Sequence, residues 1–285
     1  MSLDTDVMRA VLSGSAPLAE HFKEYYRVFH TEHESATETG LSEFVDERGF
    51  ATYERIAATV DLEQAARVLE IGCGDGALLQ RIIAIRPAVR VSGIDLSEVE
   101  IARAAERLPA ENVEQLVVGC AEGLPFAEAK FDAVVSHLML MLVPDASQVI
   151  GEARRVLKKG RSFVSVIARM GEPESPSMQL LREIPQWIRE LHPAYAPVNP
   201  GDSRIWRDDT LRELFTSNGF EHVEFDDFII SRSISSKVLP ELLEQRYYIG
   251  SLPPETRAHV NVRAREWAGD RNFVYQEAMR TLIAR

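Results

Sequence analysis

Between residues 67 and 168, five short apolar runs (67–71, 90–94, 114–118, 131–137 and 161–168) alternate with stretches near 77–85, 97–107 and 145–157, whose apolar positions recur every three or four residues. Short, nearly uncharged runs read as strands buried on both faces, and the intervening period is that of amphipathic helices. Such alternation requires a parallel sheet with crossover helices, so the pattern predicts a doubly wound α/β fold. Upstream, Leu18, Phe22, Tyr25, Tyr26 and Phe29 recur at helical spacing over 17–30, a polar stretch spans 31–40, and 41–58 again reads as helix. After Ala168 the alternation stops. Met170 to Arg204 carries Pro173, Pro176, Pro185, Pro193, Pro197 and Pro200 around a helix predicted over 178–191. Asp208 or Asp209 can cap a helix stopped by Asn218-Gly219, 221–231 reads as strand, 238–268 as helix broken near Pro253-Pro254, and 278–284 as a closing strand. The expected organisation is a helical cap over 1–60, a ligand-binding core over 61–169, a lid insertion over 170–206, and a C-terminal part of the core with a helical insertion over 207–285.

The densest signal is Val68-Leu69-Glu70-Ile71-Gly72-Cys73-Gly74-Asp75-Gly76-Ala77-Leu78-Leu79, where an apolar run meets an acid, breaks at three alternate glycines and turns apolar again. It reads as strand, tight loop and helix, with bare main chain and the unpaired N–H groups of a helix start facing a ligand. The same letters satisfy the G-x-G-x-x-G/A dinucleotide fingerprint, with Asp95 near the expected distance, so a nicotinamide-dependent oxidoreductase is the competing enzyme class. Glu70 weighs against it. A carboxylate at the strand tip repels a pyrophosphate and attracts an ammonium, which favours a cationic, phosphate-free ligand.

Composition narrows the field. A net charge of −12 argues against a surface that tracks nucleic-acid phosphates. The one basic run, Arg154, Arg155, Lys158, Lys159 and Arg161, falls at a predicted helix end, where cations offset the macrodipole. The two cysteines, Cys73 and Cys120, fit neither a disulfide framework nor a zinc quartet, which suits a reducing, cytoplasmic setting. The first thirty residues hold no continuous apolar segment, and the longest apolar stretch, 131–143, is interrupted and too short to span a bilayer. His30-Thr31-Glu32-His33-Glu34 clusters imidazoles and carboxylates but lacks a matching third ligand, so no metal is expected.

Taken with Val91-Ser92-Gly93-Ile94-Asp95-Leu96-Ser97, Leu124-Pro125-Phe126, Phe131-Asp132-Ala133-Val134-Val135-Ser136 and Arg155-Val156-Leu157-Lys158-Lys159-Gly160, the glycine block resembles class I S-adenosylmethionine (SAM)-dependent methyltransferases. The likeness is to the small-molecule, ubiquinone-methyltransferase-like (methyltransferase type 11) branch, motif by motif over about 67–169. It implies a seven-stranded, mostly parallel Rossmann-like sheet with an antiparallel last strand and a helical cap. It also implies SAM as cofactor and a small organic molecule, in specialised metabolism, as methyl acceptor, with S-adenosylhomocysteine as the other product.

The resemblance places the cofactor against Glu70, Gly72, Cys73 and Gly74, with Asp95 accepting from both ribose hydroxyls and Leu96 packing on adenine. Asp95 also has the chemistry of a turn or helix cap, and Cys73 that of a small filler under the loop. At Cys120-Ala121-Glu122 the family often has Asp-Ala against adenine. Here a thiol, a weak acceptor, replaces the acid, so main chain or Glu122 must supply the contact. Ser136 and His137 end the fourth strand, where the methionine part is expected. His137 is the candidate general base, against a ring that only packs. Tyr25, Tyr26 and His30 in the cap, with Trp206, are the candidate acceptor contacts, against simple packing between helices. Two further readings keep SAM binding but change the outcome: SAM chemistry other than methyl transfer, such as intramolecular alkylation, and a SAM-binding regulator without turnover.

Overall fold

A computed structural model describes residues 5–33, 35–62, 66–270 and 272–285. In chain order its elements are α1 (Asp6–Ser13), α2 (His21–Glu32), α3 (Ala36–Leu41), α4 (Thr52–Thr59), β1 (Arg67–Ile71), α5 (Ala77–Ile85), β2 (Arg90–Asp95), α6 (Glu98–Arg107), β3 (Val113–Val118), β4 (Phe131–His137), α7 (Ala146–Val156) and β5 (Leu157–Ala168). There follow α8 (Pro176–Leu191), a 3-10 turn (Ser203–Trp206), α9 (Asp208–Ser217), β6 (Val223–Ile234), α10 (Leu239–Glu244), α11 (Tyr247–Gly250), α12 (Pro254–Ala268) and β7 (Phe273–Ala284). The chain divides into two compact units. A sheet unit comprises Arg48–Arg169, Pro200–Phe228 and Met279–Arg285, and a helical unit comprises the residues up to Glu47, Met170–Asn199 and Ile229–Ala278.

The seven strands run in the order β3-β2-β1-β4-β5-β7-β6, with β1 to β5 parallel and β7 antiparallel to β5. This is the doubly wound sheet with a reversed closing strand that the pattern and the resemblance imply. Because side chains alternate between faces, the register sorts the strand residues. Leu69, Ile71, Val134, Phe163 and Ile167 join Val149, Ile150 and Ala153 of α7 and Leu211, Leu214 and Phe215 of α9 in one continuous core. On the opposite face Glu70 lies level with Gly93 and Val135, and His137 is two residues beyond Val135. Strand β1 therefore carries a carboxylate one residue before its end, flanked in the sheet by Gly93 and Val135.

Helix boundaries follow side-chain caps. Ser97 accepts from the Glu100 amide to open α6, Asp145 from Gln148 to open α7, and Ser175 from Met178 to open α8, each satisfying an amide the helix leaves free. The basic run is tied down locally: Arg154 donates to the Gly219 carbonyl, Arg155 pairs with Glu152, and Lys158 with Asp132.

At the far end of β5, Arg280 of β7 is 2% exposed. Its guanidinium meets Asp227 at 2.5 and 2.8 Å and Asp208, the first residue of α9, at 2.8 and 3.3 Å. Arg169 donates to Asp208 from the other side at 2.8 Å, and the Phe225 ring lies 4.2 Å from the Arg280 guanidinium carbon. Two arginines and two aspartates thus lock β5, β6, β7 and α9 together.

Several elements differ from the sequence reading. Of the helix expected over 41–58 only α4 forms, because Val45 leaves to form a bridge with Ser231 and Gly49 adopts φ +83°, while α3 falls, but for its last residue, in the stretch 31–40 read as polar. Helix α1, on which the apolar pattern gave no reading, is set by Thr5 at its start and left-handed Gly14 at its end. Strand β7 begins at Phe273, earlier than 278. Helix α4, within the segment read as cap, groups with the sheet unit, whereas the segment read as lid is in the helical unit up to Asn199. No helix among the described residues is long and apolar enough to cross a membrane.

Candidate functional site

The three glycines after β1 all have positive φ, and the loop is anchored where the amides of Gly72 and Cys73 both donate to the Ile94 carbonyl, at 2.8 and 3.0 Å. Gly72 also has a steric reason. At φ +72° a Cβ here would lie 2.5 and 2.7 Å from Cγ and Cβ of Met139, so the strand-four tip occupies the space a side chain would need. Similarly, Gly93 leaves room for Cys73, whose sulfur would be 2.6 Å from a Cβ on that glycine. Burial, then Asp95, pushes the Cys73 thiol well above its ordinary pKa, so it remains a protonated thiol.

Above the loop three carboxylates converge. Glu70 is 2% exposed, and its Oε2 is buried with no hydrogen-bond partner among the described residues. Burial, reinforced by Asp95 and Asp75, raises its pKa well above the usual carboxylate range, against which the Leu79 amide of α5 works. Asp75 is paired with Arg107 of α6 at 2.8 Å. Asp95 accepts from the amide of Gly74 through Oδ2 and from that of Ser97 through Oδ1, both at 2.9 Å. It therefore performs the turn role anticipated for it, joining the tip of β2 to the glycine loop, and a carboxylate so engaged still has lone pairs to offer. Leu96 beside it is half-buried, as are Cys120, Ala121 and Glu122 in the turn after β3.

At the end of β4 the two candidates separate. Ser136 is level with Ser165 of β5, on the face opposite Glu70; it is fully buried and its hydroxyl has no partner among the described residues. His137 shares the face of Glu70. Its Nε2 lies 2.8 Å from Thr52 Oγ1, and the Tyr53 ring centre is 4.4 Å from the imidazole. Burial lowers its pKa to about 3, so the ring is neutral throughout the physiological range. Leu138, next in the chain, sits at φ +54°, an uncommon conformation for a branched residue. Trp206 closes the 3-10 turn half-buried, with Nε1 buried and unpartnered among the described residues.

The remaining candidates fall in the helical unit. Tyr25 and Tyr26 are buried, with ring centres 5.6 Å apart and Tyr26 4.9 Å from Tyr247. His30 Nε2 meets the Tyr247 hydroxyl at 2.9 Å, and His33 stacks on Phe29 at 4.4 Å. Burial drives both tyrosine pKa values upward, so both remain phenols. Glu34, from the acidic and imidazole cluster, lies outside the described residues, and no group of three metal-ligating side chains occurs among those described.

Sequence reasoning missed Thr52 and Tyr53. Thr52 is 85 residues from His137, and nothing local marks the contact. Gly93 inside an apolar strand did carry a signal, since a strand glycine commonly marks close approach of other atoms.

A left-handed glycine loop, a buried carboxylate with one oxygen unpartnered among the described residues and a second carboxylate at the next strand end fit a ligand with an ammonium group and a diol. They do not fit a diphosphate. Residues 69–165 match the family model described as a methyltransferase domain. A fatty-acid O-methyltransferase of Mycolicibacterium smegmatis is 31% identical over 212 residues, which are 74% of this chain and 68% of that protein. The chain belongs to the class I SAM-dependent methyltransferase family. The matched segment contains every candidate cofactor contact and His137, whereas Tyr25, Tyr26, His30 and Trp206 lie outside it. A glycine/sarcosine/dimethylglycine N-methyltransferase of Actinopolyspora halophila is 30% identical over 221 residues, 76% of this chain. The chain spans 36% of that relative's length, and about a third of the length of another curated relative it matches. Among solved structures, the [4+2]-cyclase SpnF superposes with a TM-score of 0.59 at 20% identity, covering 95% of this chain and 97% of that one, a likeness of fold.

Proposed function

We propose that this methyltransferase moves the methyl group of SAM to a small organic acceptor and releases S-adenosylhomocysteine. One observation carries the reading: the buried Glu70 carboxylate beside a glycine loop, its Oε2 without a hydrogen-bond partner among the described residues, with Asp95 at the neighbouring strand end. When bound, SAM supplies an electrophilic methyl on a sulfonium. The chain's own residues do the rest. Glu70 binds the ammonium, Asp95 the ribose hydroxyls, the main chain of 72–74 the methionine part, Leu96 and residues 120–122 the adenine, and Ser136 backs the fourth strand end. His137, held neutral by burial and tethered by Thr52, meets the acceptor as a hydrogen-bonding group and takes its proton where one must leave. Acceptor contacts are assigned to Tyr25, Tyr26, His30 and Trp206. The names of the relatives, one acting on fatty acids and one on glycine and its N-methyl derivatives, support an acceptor of small-molecule size. Two free cysteines suit a cytoplasmic setting.

Incubation with SAM and a panel of fatty acids, small amines and phenols, followed by mass spectrometry, is expected to show S-adenosylhomocysteine and a product 14 mass units, roughly one CH₂ group, heavier than the acceptor. A product formed from one acceptor without consumption of SAM would instead favour the cyclase-like use of the fold that SpnF's name suggests. Asp95→Ala is expected to weaken SAM binding by about 1–3 kcal/mol through lost hydrogen bonds; unchanged affinity in calorimetry would reject the ribose assignment. His137→Ala is expected to reduce turnover at least tenfold with SAM affinity within about twofold, and equal turnover would remove His137 from the reaction.

A further inference from the structure

We propose that capture of the cofactor expels one proton, which passes from the Glu70 carboxyl to solvent as the ligand's ammonium takes its place. The inference rests on the cofactor reading above and concerns what the free protein must do before binding. Glu70 is 2% exposed at the tip of β1, and its Oε2 has no hydrogen-bond partner among the described residues. The groups facing it are acids: Asp95 at the end of β2 and Asp75 in the glycine loop, with Glu100 of α6 close to the same loop. The cations nearby are committed elsewhere, Arg107 to Asp75 at 2.8 Å and Arg103 to Glu100 at 2.9 Å. On β4, His137 is neutral. From α5 only the Leu79 amide helps an ionised Glu70.

A charge this buried, with like charges around it and no cation among the described residues to answer it, is held as the neutral acid in the ligand-free protein. An arriving ammonium reverses the balance, because the pair of opposite charges is favourable where the lone carboxylate was not. The step balances: the carboxyl O–H bond breaks, its proton leaves to buffer, and carboxylate and ammonium remain as an ion pair. By linkage, affinity must then rise with pH, up to tenfold per pH unit while free Glu70 is protonated.

Isothermal titration of the full chain with S-adenosylhomocysteine, at pH 7 in phosphate and in Tris, reads the proton directly, because the heat difference between buffers scales with protons released. The expected result is a release approaching one proton per site, and a release near zero for 5′-methylthioadenosine, which has the nucleoside but no ammonium. Glu70→Gln, nearly isosteric, should bind S-adenosylhomocysteine more weakly with no release and no pH dependence. Binding of S-adenosylhomocysteine without proton release overturns the proposal, as does equal release with both ligands, which would move the proton to the ribose side. Failure of both ligands to bind the native protein at any pH overturns the cofactor reading itself.

Discussion

Gly72→Ala is expected to lower stability by about 2–5 kcal/mol and to reduce cofactor affinity at least tenfold. Two separate costs combine. A residue with a Cβ held at φ +72° pays roughly 1–2 kcal/mol for the left-handed conformation. The new methyl must also displace Met139, whose Cβ and Cγ would be 2.7 and 2.5 Å away, and overpacking of this kind costs about 1–3 kcal/mol. Met139 Cβ is fixed to the main chain, so rotating the end of its side chain does not remove the overlap. The loop's relief is to pull away from the Ile94 carbonyl, which breaks two backbone hydrogen bonds and shifts the amides proposed above to face the cofactor. The double variant Gly72→Ala with Met139→Ala should recover part of the packing cost and none of the conformational cost. Urea denaturation and SAM titration on the four proteins of this cycle measure both; full stability in the single variant would refute the interlock.

The second large effect is in the ion network of the sheet unit. Removing both counter-charges of Arg280, by Asp208→Asn with Asp227→Asn, should destabilise this unit by about 2–4 kcal/mol, since a buried guanidinium is left without an anion. The value is set below that of a fully enclosed pair because the two carboxylates are 60% and 52% exposed and partly screened by water. Adding Arg280→Met to that background should return most of the loss, because a methionine of similar length needs no counter-charge. Absence of such a rescue in urea midpoints would show that the aspartates act by some route other than Arg280.

The same network has an acid limb. Hydrogen bonding to Arg280, then Arg169, holds the Asp208 carboxyl at about 2, below its ordinary 3.8. A carboxylate depressed in the folded state stabilises above its unfolded pKa and ceases to do so as pH falls through the folded one. That contribution is therefore complete above about pH 4 and vanishes near pH 2.

Much of this was legible in the order of residues. The alternation of apolar runs specified the parallel sheet, since strands buried on both faces and amphipathic crossovers leave few other arrangements. Glu70 at a strand tip before three alternate glycines pointed to a cationic, phosphate-free ligand, because a carboxylate repels a diphosphate at contact distance. The starts of α6, α7 and α8 fall within two residues of those expected, because the caps that set them, Ser97, Asp145 and Ser175, act within one helical turn.

What the chain order left open depends on residues far apart in sequence. Whether His137 has a partner was decided by Thr52 arriving from α4, and its neutrality by burial, neither of which the local sequence encodes. Ser136 and His137 are adjacent letters, yet strand alternation sends them to opposite faces, and only the register with β1 and β5 shows which face holds Glu70. Nothing in the residues around Arg280 marks it, and folding encloses it between Asp208 and Asp227. Hydrophobic period and glycine placement are short-range properties written into consecutive residues; desolvation, counter-charge and steric interlock arise only when distant segments meet, and tertiary structure alone fixes them.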